Sequence, residues 1–169
     1  MASLDVMSYN RQGKVFTLTN AAAASVLAVS TTMTGLILIN PFGSGKKLVL
    51  VDAGFVWTTA GAAAHQIGVA LGYSTTAVTN TTPVSVYAAD GRGVATTSVA
   101  AGSNSATLPA AAVTQMWIGG SLGTAVSPYM VRERIDGSLI VIPGAYAHLT
   151  TVTTTAVGMG SFTWIEVPV

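Results

Sequence analysis

Short runs rich in valine, isoleucine, threonine and aromatic residues, each closed off by glycine, proline, asparagine or serine, fill the chain from residue 14 onward. This punctuation restricts the fold more than any other feature, because no convincing crossover helix separates the runs and their strands must return antiparallel. The first run, KVFTLTN at 14–20, alternates: Val15, Thr17 and Thr19 point one way, Phe16 and Leu18 the other, as in a half-buried strand. Further strands are expected in TGLILIN at 34–40, KLVLVDAGFVWTT at 47–59, HQIGVALGYS at 65–74 and VSVYAAD at 84–90. TQMWIGGSL at 114–122, SLIVIPG at 138–144, AYAHLTTVTT at 145–154 and GSFTWIEVPV at 160–169 complete the series. AAAASVLAVS at 21–30 reads as a helical turn or covering loop, TAGAAA and TTAVTNTTP as loops, and SVAAGSNSATLP as supplying a Gly-Ser-Asn turn. Pro143 and Pro168 belong at strand ends or edges, where no ladder donor is needed. The expected fold is all-β: an antiparallel β-sandwich, jelly-roll-like, of about eight strands. It forms one domain over 14–169, preceded by a flexible N-terminal arm at 1–13 that orders on reaching a neighbour.

The surface of such a sandwich has to be built with very little charge. Half of the 169 residues are hydrophobic and 8% are charged, so Thr, Ser, Asn and Gly supply most of the polar exterior. With little repulsion to keep copies apart, much of the outer face is expected to be covered by other copies or by another protein. A net charge of +1 leaves no basic stripe, which argues against nucleic acid. Cysteine is absent, which removes thiol catalysis, Cys-ligated zinc and disulfides. The start, MASLDVMSYNRQGK, lacks the basic and apolar regions of an export signal. Segments 53–89 and 93–131 carry no Asp, Glu, Lys or Arg, yet turn residues break them too often for membrane helices, and no membrane association is expected.

The motifs that hint at chemistry fall away when their requirements are checked. A phosphate loop built on GSGKK needs glycine where Asn40 stands, Ser or Thr where Lys47 stands, and a helix where KLVLVDAGFVW is strand-like. GSGKK therefore reads as a turn between strands. His65 and His148 cannot assemble a metal site of several histidines, and both read as polar or partly buried strand residues. Asp52 lacks a second carboxylate near it in sequence, and no Ser or Thr has an identifiable His and acid partner. No enzyme and no cofactor are expected. The densest charge, RERID at 132–136, reads as a solvated strand end and hairpin turn, or as a salt-bridge patch between subunits formed by Arg132, Glu133, Arg134 and Asp136. Arg132 and Arg134 should share one face, with Glu133 on the other. Trp57, Trp117 and Trp164 read as core or interface anchors, and Trp117 joins the partner-contact candidates.

Three segments, TGLILINPFGSGKKLVLVDAGF at 34–55, SLIVIPGAYAHL at 138–149 and GSFTWIEVPV at 160–169, carry a resemblance that covers under a third of the chain. In these strands and turns the chain resembles small structural proteins of tailed bacteriophages, particularly jelly-roll capsid decoration or cement proteins. The resemblance implies a homo-oligomer, dimer or trimer, made in the host cytoplasm and seated on the capsid exterior of the virion, where it binds the major capsid protein. It supplies no catalytic residues. A receptor-binding or adhesin-type β-sandwich head of a tail fibre is the second expectation. A sandwich-fold hydrolase is the third, and the six acids and two histidines weigh against it.

Overall fold

The computed structural model describes residues 5–20, 22–59, 63–121, 130–152 and 154–169. A short helix, α1 (Val6–Arg11), precedes β1 (Val15–Thr19), β2 (Ala24–Val26), β3 (Thr32–Ile39), β4 (Lys46–Trp57) and β5 (His65–Tyr73). Five short or middle strands follow: β6 (Thr79–Asn80), β7 (Pro83–Val84), β8 (Val86–Ala88), β9 (Gly93–Val94) and β10 (Ala101–Thr107). The chain ends with β11 (Val113–Ser121), β12 (Met130–Arg134), β13 (Ile140–Val141), β14 (Ala145–Thr150) and β15 (Ala156–Pro168).

These strands form two sheets. The first runs β12-β4-β15-β1-β8-β9, with β13 also on β4 and β2 on β15. The second runs β11-β5-β14-β3-β10-β6, with β7 also on β10. Taken in chain order, β1, β3, β4, β5, β11, β12, β14 and β15 fall in the first, second, first, second, second, first, second and first sheet. That alternation, with spatial orders β12-β4-β15-β1 and β11-β5-β14-β3, is the double Greek key of a jelly roll. The remaining strands mostly come from the insertion between β5 and β11, which widens both sheets beyond β1 and β3.

Alternation explains the core. Phe16, Leu18, Leu50, Phe55, Phe162 and Trp164 point inward from the first sheet and meet Leu36, Leu38, Ile67 and Leu149 from the second. Burying each such side chain contributes about 1.5–3 kcal/mol, so the facing interiors supply the main stabilisation. Asn40, fully buried, fixes the corner between the sheets by donating to the carbonyls of Lys46 and Val141 at 2.8 Å each. GSGKK thus joins strands of different sheets, with Gly43 and Gly45 at positive φ in the turn.

The second sheet has an outer layer of its own. Met33, Ile37, Ile39, Ala70 and Tyr146 pack beneath Leu108 and Ala112, with Leu27 and Val29 alongside. On the first sheet the outer cover is smaller: Val6 and Tyr9 of α1 lie on Val15, Val49, Val51 and Ile165.

Several local expectations change. Within 1–13, read as a flexible arm, residues 6–11 form α1, capped where Asp5 accepts from the Ser8 N–H at 3.0 Å. Gly102, Ser103 and Asn104 are not a turn; they lie inside β10, and a register shift between Ser103 and Ser105 absorbs Asn104 as a bulge. RERID does not close a hairpin either. Ile135 and Asp136 donate their N–H groups to the Val51 carbonyl and Gly137 to that of Leu50, so the chain bulges and continues along the same edge of β4 into β13.

Candidate functional site

The outer face of the first sheet, beyond the reach of α1, carries the most developed concave surface near the sequence candidates. Register aligns its side chains in rows across four strands. One row reads Thr17, Thr163, Asp52 and Arg134; the next reads Thr19, Ser161, Gly54 and Arg132; the third reads Met159, Val56 and Met130. All of these but Arg134, which lies just beyond its end, line a groove of about 540 Å³. Glycine at position 54 keeps its floor open, since a Cβ there would stand 2.8 Å from Ser161 Oγ.

Electrostatics in the groove are balanced. Arg132 Nη2 donates to Asp52 Oδ2 at 2.7 Å, with the carboxylate side chain 8% exposed and the guanidinium side chain 64% exposed. That hydrogen bond, with the attraction behind it, holds the Arg132 guanidinium pKa above its ordinary value. Arg134 pairs with Asp136 at 3.0 Å, across a turn in which Asp136 has φ 46° and Gly137 φ 82°. The hydroxyls of Thr17, Thr19, Ser161 and Thr163 make no hydrogen bond to any described residue. They are left to water or to a ligand.

The candidates named from sequence divide between two places. Arg132 and Arg134 share the outer face of the first sheet, near Asp52 and Val6 of α1. Glu133 stands opposite Ala53, whose side chain belongs to the core, and so it projects to the other side of the open edge. Trp117 lies on β11, an edge of the second sheet, with its ring over Gly68 and 48% exposed. Its face looks away from the groove. The two edges do touch, because Val131 of β12 fills the space above Gly119 of β11. Trp57 and Trp164 are core residues at 2% and 0% exposure.

The remaining polar groups serve the scaffold. The indole N–H of Trp57 donates to His65 Nε2, while His65 Nδ1 lies 3.0 Å from the Ala63 carbonyl. His148 Nδ1 bonds the Leu149 carbonyl at 2.9 Å, and its buried Nε2 has no partner among the described residues. Burial lowers the pKa of this imidazole below its ordinary value. Glu166 is buried and bound by Lys46 Nζ at 2.8 Å, by Ser98 Oγ and by the Val99 N–H at 3.0 Å, which ties the insertion to the end of β15. It stands opposite Leu48 on the inner side of the sheet, so it does not meet Asp52 on the outer side. Among the described residues no group of three or more His, Asp or Glu is placed to hold a metal ion, and no helix is long and apolar enough to cross a membrane.

Sequence reasoning missed Thr17, Thr19, Ser161 and Thr163 as a set, although the alternation of TLT and SFT marks each as facing away from the core. No protein-family model matches the chain, and no curated protein matches it. Among solved structures it is similar, at 15% identity and a TM-score of 0.19, to one described as "Structure of infectious bursal disease virus Gx strain". That match covers 91% of this chain and 41% of the other, and at such a TM-score it says nothing of fold or function.

Proposed function

We propose that the protein is a viral structural component without catalytic activity: a decoration or cement protein that binds the major capsid protein on the outside of a phage head as a homo-oligomer, dimer or trimer. The observation that carries this reading is exposed apolar area on the two edge strands, β11 and β12. Val113 and Trp117 of β11 are 65% and 48% exposed and Met130 of β12 is 69% exposed, in a chain of which only 8% is charged. Apolar side chains exposed on edge strands gain when a partner covers them, and many weak contacts add up on a shell through effective concentration. The test is co-sedimentation of the full chain with phage heads lacking it, alongside light scattering of the free protein. Wild type should pellet with heads and raise the temperature at which they release DNA, while Trp117→Glu and Met130→Glu should weaken both. A chain that stays monomeric at high concentration and in the supernatant with heads would sink the reading.

A second reading, a receptor-binding or adhesin-type head of a tail fibre, is favoured by one specific observation: the groove on the first sheet, whose hydroxyls have no hydrogen-bond partner among the described residues.

A further inference from the structure

We infer that this groove is a binding site for a neutral oligosaccharide. The inference stands whether the chain sits on a capsid or on a tail. Four hydroxyls, from Thr17, Thr19, Ser161 and Thr163, face the groove without a hydrogen-bond partner among the described residues. Beside them Asp52 offers an acceptor and Arg132 further donors, already paired with each other at 2.7 Å. Desolvating such groups under an apolar ligand would leave them unsatisfied, so the occupant must itself be rich in donors and acceptors.

Charge narrows the class further. Arg132 faces Asp52 in the groove, and Arg134, just outside it, faces Asp136, so the cations in and beside the groove are matched by carboxylates. An acidic ligand would meet the Asp52 carboxylate and a basic one the Arg132 guanidinium, so neither gains a net attraction. A neutral polyol meets neither penalty. The third row, Met159, Val56 and Met130, adds an apolar strip beside the hydroxyls. A pyranose has the same two-sided character, with C–H faces and hydroxyl edges. A peptide strand would be served better by a sheet edge, because the face presents side chains and no free backbone.

Length argues for an oligomer. Tyr87, 42% exposed, stands opposite Thr17 and extends the first row to Tyr87, Thr17, Thr163, Asp52 and Arg134. Tyr87 and Arg134 flank the groove at its two ends, and the four steps between neighbouring strands make the row about 19 Å long, more than one sugar ring needs. Its aromatic end offers a surface on which a ring can stack.

The experiment is saturation-transfer NMR on the full chain with maltohexaose, cellohexaose and mannohexaose, and with a hexamer of galacturonic acid as the acidic control. Calorimetry follows on any saccharide that responds. At least one neutral hexasaccharide should bind, and the double variant Ser161→Ala/Thr163→Val should weaken it about tenfold, as expected for two hydrogen bonds. Asp52→Asn should weaken it by a similar factor. Gln66→Ala, on the outer face of the second sheet, should change nothing, and melting curves check that each variant is folded. Binding by none of the neutral hexasaccharides, binding by the acidic hexamer alone, or binding indifferent to the groove variants overturns the proposal. Loss of capsid-protein binding by the double variant, with no saccharide bound, would assign the face to a protein partner and overturn it equally.

Discussion

The two outer faces of the sandwich begin from the same strand geometry and end in opposite states. On the second sheet, Ile37, Tyr146 and His148 have 0% exposure, because the chain lays Leu108, Ala112, Leu27 and Val29 over that face. On the first sheet, α1 shields Val15, Val49, Val51 and Ile165, and the face beyond them turns to Thr, Ser and Gly. The difference lies in what a cover can gain. Each apolar side chain sealed under a lid is worth about 1.5–3 kcal/mol, enough to offset the ordering of a few residues of loop. Closing a lid over hydroxyls returns nothing unless each finds a partner. A jelly roll can therefore use one outer face as a second core while the other stays available to a ligand.

The sharpest way to break that comparison is to empty the covered face. Tyr146 packs in the outer cluster, lies across Gly72 and donates its hydroxyl to the Ala110 carbonyl at 2.5 Å. Tyr146→Ala should cost about 3–5 kcal/mol in urea denaturation, as large aromatic deletions from a packed interior do. Thr163→Val on the groove should stay within about 0.5 kcal/mol. Similar losses from the two would mean that the faces do not differ as described.

Acid should act on the covered face next. His148 is fully buried, its Nε2 has no partner among the described residues, and desolvation holds its pKa below the ordinary imidazole value. As pH falls below about 6.5, the unfolded chain takes up this proton before the folded one does. Stability should accordingly be flat above that range, decline as pH falls towards the depressed folded value, and level off below it. One titrating proton limits how steep the decline can be. Thermal melts between pH 7.5 and 5 should show a larger loss for wild type than for His148→Gln. Parallel curves would remove the imidazole from the explanation.

How much of this could be read from the chain depends on whether a feature is local. The strands with clean alternation are legible: Thr17 and Thr19 face out and Phe16 and Leu18 face in, as the spacing of KVFTLTN requires. The sandwich follows from the absence of crossover helices, and its jelly-roll order is what the structure adds in detail. Helix α1 escapes notice because it is six residues long and offers only Val6 and Tyr9 to the sheet, too little for a period. Gly102, Ser103 and Asn104 carry turn chemistry, yet pairing with β3 on one side and β7 on the other holds them extended. Tertiary pairing overrides propensity there. The groove was out of reach altogether, because Thr17, Asp52, Arg132 and Ser161 come from four strands brought together by long-range register. For the same reason Trp117 and Arg132, both singled out, lie on different sheets and serve different faces.

The smallest predicted effect compares one substitution at equivalent places on the two faces. Gly72 sits under the Tyr146 ring, and a Cβ added there would stand 2.7 Å from the phenolic oxygen and closer still to ring carbons. That ring cannot withdraw, since it is fully buried and its hydroxyl is bonded. Gly72→Ala should therefore cost about 1–3 kcal/mol through overpacking. Gly54 also meets an obstacle, but its nearest atom is Ser161 Oγ at 2.8 Å, the free end of a side chain that can turn about χ1, and the next is the Val131 carbonyl at 3.4 Å. Alanine also restricts the unfolded chain more than glycine does, a gain of about 0.4–1 kcal/mol that offsets the rotation. Gly54→Ala should be close to neutral in denaturation while narrowing the groove floor. If both alanines cost the same, the open face is packed as tightly as the sealed one, and no ligand has room on it.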